Sequence, residues 1–200
     1  MTSLHDLEVL TSQLKSLPGV TTKQAEKIAQ YLLRSEEDKI EELIQQIKNV
    51  RNNIKFCSQC NTICLSELCN ICANNERIQN QLCIVTTPND LDKIENTHTF
   101  FGLYFVLHDE INVRSKTPLD KEITKKLIKL LKTKDFKEII IATNWTPNGE
   151  ATAYFIKQII NEMFPNIKIF RLAVGLPINS ALNYADNETL TQALKNKTIY

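Results

Sequence analysis

The apolar positions of the N-terminal part recur every three or four places. Leu4, Leu7, Leu10, Leu14 and Leu17 make one stripe, Ala25, Ile28, Ala29, Leu32 and Leu33 a second, and Ile40, Leu43, Ile44, Ile47 and Val50 a third. This spacing predicts three amphipathic helices. Pro18 and Gly19 punctuate the first pair. Thr21, with Gln24 three residues on, predicts a capping box for the second helix, and Ser35 is the candidate N-cap of the third. Farther on the pattern shortens to apolar runs suited to buried strands: "LCIVTT" (82–87), "GLYFVL" (102–107), "EIIIAT" (138–143) and "IKIFRL" (167–172). Helical spacing lies between them, in Ile123, Leu127, Leu130 and Leu131, then in Phe155, Ile159, Ile160 and Met163. Strand and helix alternating in this way predict an α/β fold, a parallel sheet with helices on both faces.

Composition narrows the class. The chain has 200 residues, of which 42% are hydrophobic, enough for a sizeable core. No run approaches the ~18 apolar residues of a membrane span. "MTSLHDLEVL" lacks the basic flank and apolar run of a secretory signal, so the expected location is the cytoplasm, with no membrane partner. Thiols stay reduced there, and paired cysteines point to metal rather than disulfides. The net charge is only +1, so any nucleic-acid binding needs a local basic surface.

"CSQCNTICLSELCNIC" sets Cys57/Cys60 and Cys69/Cys72 as two C-x-x-C pairs with eight residues between them. A two-residue gap lets both sulfurs of a pair reach one ion from a single turn, and four thiolates at ~2.3 Å close a tetrahedron around Zn²⁺. Four protein ligands leave no open position, so the predicted role is structural. The segment's few apolar residues, chiefly Ile63, Leu65, Leu68 and Ile71, give it little other means of holding a shape. Cys64 has no partner at ligand spacing, and Cys83 reads as core.

Two basic features stand out. In "LPGVTTKQAEKIA" (17–29), Lys23 and Lys27 lie one helical turn apart beside a Pro-Gly turn. A helix N-terminus there offers N–H groups to a phosphate, and the lysines add charge without reading bases. An ordinary helical corner with solvated lysines accounts for the same residues. The segment 120–137 holds seven lysines against three acids, with Lys125, Lys129 and Lys132 on one face. It reads as a solvated surface helix or as a contact for nucleic acid or protein. At the carboxyl ends of the strands, where open α/β sheets gather function, the residues are Thr86, Thr87 and Asp90, then Asn144, Trp145, Thr146 and Glu150. Glu150 either complements a helix dipole or serves a site, and Trp145 either anchors a partner or caps the sheet. His5, His98 and His108 show no metal spacing. No phosphate-binding loop or nucleophile elbow is present.

The order of "LPGVTTKQAEKIA", the four-cysteine cluster, "VTTPNDL", "YFVL", "ATNWTPNGEATA" and "RLAVGLPINSALNYADNETL" resembles the RecR family nearly end to end. The resemblance implies a helix-hairpin-helix DNA-binding module over 1–55, a four-cysteine zinc finger over 56–79, a Toprim domain over 80–175 and a C-terminal tail over 176–200. It also implies a homo-oligomeric ring, usually a tetramer, without catalytic turnover. Its partners would be sequence-independent DNA, RecO and in many bacteria RecF, and its role the loading of RecA on single-stranded DNA coated by single-strand-binding protein. Carried over, Cys57, Cys60, Cys69 and Cys72 hold Zn²⁺, Lys23 and Lys27 contact DNA, and Glu150 lies in a partner-binding region.

This chain departs from the family pattern at Thr21, where glycine is usual, at Thr86, where glutamate is usual, and at Trp145 and Asn148. "HDEINVRSKTPLD" (108–120) replaces a glycine-rich stretch, and Asn179-Ser180 a glycine pair. The alternative from another class is a Mg²⁺-dependent Toprim-type nuclease or primase, against which the acid-poor strand ends count. A zinc-stabilised adaptor without DNA contact is the third reading.

Overall fold

The computed structural model describes residues 2–176, 179 and 181–197. Parts of the expected tail, Ser180 among them, lie outside the described residues. The chain divides into two compact units, Met1–Ile54 and Lys55–Tyr200.

The first unit is three helices, α1 (Thr2–Lys15), α2 (Thr22–Arg34) and α3 (Glu37–Asn53). Pro18 and Gly19 end the first hairpin arm as expected, with Gly19 at φ +76°, a conformation that costs glycine little. The capping box forms: Thr21 Oγ1 accepts from the Gln24 amide, and the Thr21 amide donates to Gln24 Oε1 at 2.8 Å. Three expectations need correction. The helix α1 closes at Lys15, so Leu17 lies beyond it. Ser35 does not open α3; it closes α2, donating its hydroxyl to the Tyr31 carbonyl at 2.9 Å, and Glu36 takes the N-cap place without a side-chain bond. A hydroxyl with a free carbonyl four residues behind it satisfies that group first. Of the predicted stripes only Ala25 and Ala29 are fully buried, and α3 buries no residue.

The second unit opens with a short antiparallel pair, β1 (Lys55–Phe56) and β2 (Ile63–Cys64), and a single helical turn, α4 (Asn70–Ala73). A four-stranded parallel sheet follows: β3 (Gln81–Val85), β4 (Leu103–Val106), β5 (Glu138–Ala142) and β6 (Lys168–Arg171), in the order β4-β3-β5-β6. The helices α5 (Pro88–Glu95), α6 (Lys121–Thr133), α7 (Pro147–Met163) and α8 (Asn187–Lys195) complete it. On one face Leu82, Ile84, Phe105, Ile139 and Ile141 pack with Leu127, Leu130 and Leu131 of α6 and with Ile156 and Ile160 of α7. On the other face, Cys83, Val85, Tyr104 and Val106 pack with Leu91 of α5 and Ile71 of α4. That face opens toward the edge, where Phe170 is exposed. The buried line of α7 is Ala153, Ile156 and Ile160; Phe155 and Met163, expected inside, face solvent. The small Ala153 sits on the inward line with Ile156 and Ile160, so Phe155 falls outside it.

Arg77 fastens the link between α4 and the sheet. It donates to both carboxylate oxygens of Glu95, at 2.5 and 2.9 Å, and to the Gly102 carbonyl at 2.9 Å. Burial pushes the Glu95 carboxyl up, but the Arg77 hydrogen bonds outweigh it and hold Glu95 below the usual range.

The turn from β5 into α7 is the tightest place in the unit. Thr146 caps α7 by accepting from the Gly149 amide at 3.1 Å, and Thr143 donates to the Gly149 carbonyl at 2.8 Å. A Cβ on Gly149 would stand 2.1 Å from the Asn144 carbonyl oxygen. The substitution Gly149→Ala is therefore expected to cost about 1–3 kcal/mol, read as a lower urea midpoint; an unchanged midpoint would show that the turn yields.

Candidate metal centre and nucleic-acid interface

The first cysteine pair sits on the β1–β2 turn. The Cys57 amide donates to the Thr62 carbonyl at 2.7 Å and the Asn61 amide to the Cys57 carbonyl at 3.0 Å. This closes a knuckle in which Asn61 takes φ +62°, a region Asn tolerates better than most residues. The second pair straddles α4, with Cys69 as its N-cap; the Cys72 amide points at the Cys69 sulfur at 3.4 Å, and the Cys69 amide at the Cys57 sulfur at 3.4 Å. The four Sγ atoms all lie within 4.8 Å of one another and all four residues are buried. A tetrahedron of thiolates about Zn²⁺ has sulfurs about 3.8 Å apart, so this donor set fits a metal ion. None of the cysteines is in a disulfide. Hydrogen bonds from Cys60 and Cys72 push the Cys69 thiol down, and the bond to Cys69 pushes Cys60 up. Cys64 packs against the four without joining their donor set, and it donates to the Ser66 carbonyl at 2.9 Å. Cys83 is core, its thiol pushed up to about 12 by burial.

The knuckle is fixed to the sheet. The Val106 amide donates to the Cys60 carbonyl at 2.9 Å, and Asn61 Nδ2 to the Val106 carbonyl at 3.0 Å. Lys126 of α6 reaches Asn61 Oδ1 at 3.0 Å, and His108 Nε2 meets the Asn61 carbonyl at 2.6 Å. His108 thus has a structural place.

In the helical unit, Lys23 and Lys27 are both exposed, one turn apart on the outer side of α2, while Ala25 and Ala29 face inward. Neither lysine forms an ion pair among the described residues. On α6, Lys121, Lys125, Lys129 and Lys132 are exposed and Lys125 pairs with Glu122 at 2.7 Å, while Lys126 bonds to Asn61.

Glu150 stands in the first turn of α7, and its carboxylate accepts from Arg171 Nη2. The same guanidinium donates to the Ile141 carbonyl at 2.9 Å and to Thr143 Oγ1 at 2.8 Å, and lies 4.5 Å from the Trp145 ring centre. Neither the dipole reading nor the site reading of Glu150 foresaw this pairing. Trp145 is 54% exposed, so it does not cap the sheet. Trp145, Pro147, Glu150, Asp186 and Glu188 line a cavity of about 590 Å³. The pattern reading missed one acid altogether: Glu110, whose carboxylate accepts from Thr86 and Asn144. The register pairs Val85 with Val106, so an acid four residues past Val106 is within reach of the end of β3.

Fold and cluster together define a class: a Toprim-type parallel-sheet protein carrying a four-cysteine metal site and a helical hairpin unit. Comparison with known families finds a Toprim domain over residues 80–173, the RecR helix-hairpin-helix over 7–51 and the RecR C-terminal segment over 175–198. The chain is similar to the recombination protein RecR of Ureaplasma parvum, with 40% identity over 96% of this chain and 95% of the relative. Those of Ureaplasma urealyticum (38% identity, 96% and 95%) and Dehalococcoides mccartyi (37%, 94% and 91%) are similarly close. The chain belongs to the RecR family. These relatives bear the name of a recombination protein and not that of an enzyme.

Metal analysis of the purified chain is expected to find stoichiometric bound ion. Cys60→Ser is expected to lose most of it and to lower the thermal midpoint. A variant that keeps full metal content would exclude Cys60 as a ligand.

Proposed function

We propose that the chain is a non-catalytic recombination mediator in DNA repair that holds DNA by phosphate contacts. The observation that carries this reading is the exposed Lys23/Lys27 pair beside the capped N-terminus of α2, in the unit that matches the RecR helix-hairpin-helix. The capping box occupies the Thr21 and Gln24 amides and leaves those of Thr22 and Lys23 for a phosphate oxygen. Contacts of this kind read charge and not sequence. The four cysteines hold one Zn²⁺, favoured by an all-thiolate donor set, and the ion fixes the loop that carries them. It supplies folding energy rather than chemistry.

The remaining roles follow from the resemblance. RecO, and RecF where present, dock on the Toprim side near Glu150, and the complex helps load RecA on single-stranded DNA coated by single-strand-binding protein. The cavity beside Trp145 suits a protein partner, since an exposed aromatic ringed by carboxylates is an anchor for basic side chains. A second copy of the chain covers α3, whose Leu43, Ile44, Ile47 and Val50 are exposed along one side. The nuclease or primase reading has no support in the acids at the strand ends: Asp90, Glu110 and Glu150 each accept hydrogen bonds from protein donors.

Fluorescence anisotropy with single-stranded and duplex DNA across a salt series tests the DNA reading. Lys23→Ala/Lys27→Ala is expected to weaken binding to both and to flatten the salt slope by roughly 1.4–1.8 per bound chain. Equal affinity with an unchanged slope would remove these lysines from the interface. Light scattering tests self-association: wild type runs as an oligomer and Ile44→Glu/Ile47→Glu as a smaller species, whereas equal masses would put the interface elsewhere.

A further inference from the structure

The strand order β4-β3-β5-β6 places the reversal of direction between β3 and β5. In open parallel sheets the crevice outside the carboxyl ends at that point is where ligands bind. Here a side chain of the chain itself occupies it. Glu110 Oε1 accepts from Thr86 Oγ1 at 2.9 Å, from the Asn144 amide at 3.1 Å and from Asn144 Nδ2 at 3.0 Å. One donor comes from the end of β3 and two from the end of β5.

The loop that delivers Glu110 is fastened along its length. The His108 amide donates to the Thr86 carbonyl at 2.8 Å, continuing the ladder past β4. Beyond Glu110, the Ile111 amide donates to Thr152 Oγ1 at 2.8 Å and the Val113 amide to Asn148 Oδ1 at 3.0 Å, both on α7. A bridge between Asn112 and Thr117 folds the loop back, and Ile111 packs on the core. Residues 108–117 therefore cross the crevice as a strap, held by these backbone bonds and, at the crevice itself, by the Glu110 carboxylate.

Three donors aimed at one oxygen make a receptor for an oxyanion, because charge-assisted bonds of this kind are strong and directional. We propose that the crevice between β3 and β5 is an oxyanion-binding site whose resident ligand is the tethered carboxylate of Glu110. An external carboxylate or phosphate takes its place only when the strap lifts. With Glu110 seated, the crevice is closed to oxyanions by occupancy. It is also poorly disposed to a divalent cation, since the oxygen facing it is committed to three hydrogen donors. The proposal is independent of where DNA binds.

The test uses the full, metal-loaded chain. Glu110→Ala leaves the buried Thr86 hydroxyl and the two Asn144 donors without this acceptor. Its thermal midpoint is expected to fall by roughly 2–8 °C. The amides of Ile111 and Val113 are expected to exchange about tenfold faster. Replacing chloride by acetate at constant ionic strength is expected to recover part of both losses in Glu110→Ala and to leave wild type unmoved. Phosphate in a parallel series tells whether the receptor takes the tetrahedral ion as well. Glu110→Gln, which keeps the crevice filled, is expected to show a smaller fall and no acetate response. An unaltered midpoint and exchange in Glu110→Ala, or an acetate effect equal in variant and wild type, would overturn the proposal. Should Glu110→Ala fail to fold, Thr86→Val removes one donor at constant shape; unchanged exchange at Ile111 in that variant overturns it equally.

Discussion

The bond from the Val106 amide to the Cys60 carbonyl joins the two halves of the second unit's architecture. The strand β4 is an edge of the sheet, and an edge strand presents unpaired amides that must be satisfied or covered. The cysteine knuckle does this for Val106, and Asn61 returns a bond to the carbonyl of the same residue. Asn61 can do so because its left-handed backbone turns the amide side chain toward the strand. Glycine would reach that backbone conformation more easily but would lose the bonds to Val106 and Lys126. The cysteine loop and the sheet thus share one strand end. Whatever orders the four sulfurs also orders the start of the 108–117 strap, which leaves β4 immediately afterwards.

Beyond that junction, the carboxyl edge of the sheet is governed by the pairing of charges. Arg171 bridges β5 and α7 while stacking on Trp145, and its partner Glu150 is one of the few acids the edge carries. The pair is partly open to solvent, so its Coulomb energy is modest. Its effect is geometric: it fixes the angle at which Trp145 stands out from the turn. Asp90 is spent on capping α5, where its Oδ2 accepts from the Thr87 amide at 2.9 Å. Asp90, Glu110 and Glu150 each commit an oxygen to a protein donor, whereas catalytic metal sites need several uncommitted oxygens.

Much of this was legible in the residue pattern. The two C-x-x-C pairs single out by spacing alone the four cysteines whose sulfurs the structure brings together, because two residues are what a knuckle needs between sulfurs. Four short apolar runs give the four strands to within about two residues at each end, as boundaries usually allow. Side-chain direction was harder to read. The inward face of α7 turned on Ala153, a small residue that carries little weight in a hydrophobic pattern, so Phe155 and Met163 were read inward. Ser35 shows the same limit, since an N-cap and a C-terminal back-bond use the same hydroxyl. Glu110 was invisible for a topological reason. Acids were sought at the ends of β3 and β5, but the carboxylate beside Thr86 arrives from the neighbouring strand's loop, and only the strand order brings the two together.

The helical unit and the sheet unit solve the problem of small cores differently. The sheet unit buries apolar side chains on both faces and adds a thiol cluster where its apolar content is poor. The helical unit buries two alanines fully and leaves the stripe of α3 in water. The helix α3, seventeen residues long, buries no side chain, whereas in proteins most helical stability comes from packing an amphipathic face. Its exposed Ile44, Ile47 and Val50 carry apolar area that folding of the single chain has not removed from water. Burial against a second copy, as proposed above, would remove that area from water. If the module holds DNA through a few weak, sequence-blind contacts, as proposed above, repetition would help it, because linked sites raise the effective concentration of each next contact. On the proposed reading the same exposed stripe would answer two needs, the stability of the unit and the strength of its hold on DNA.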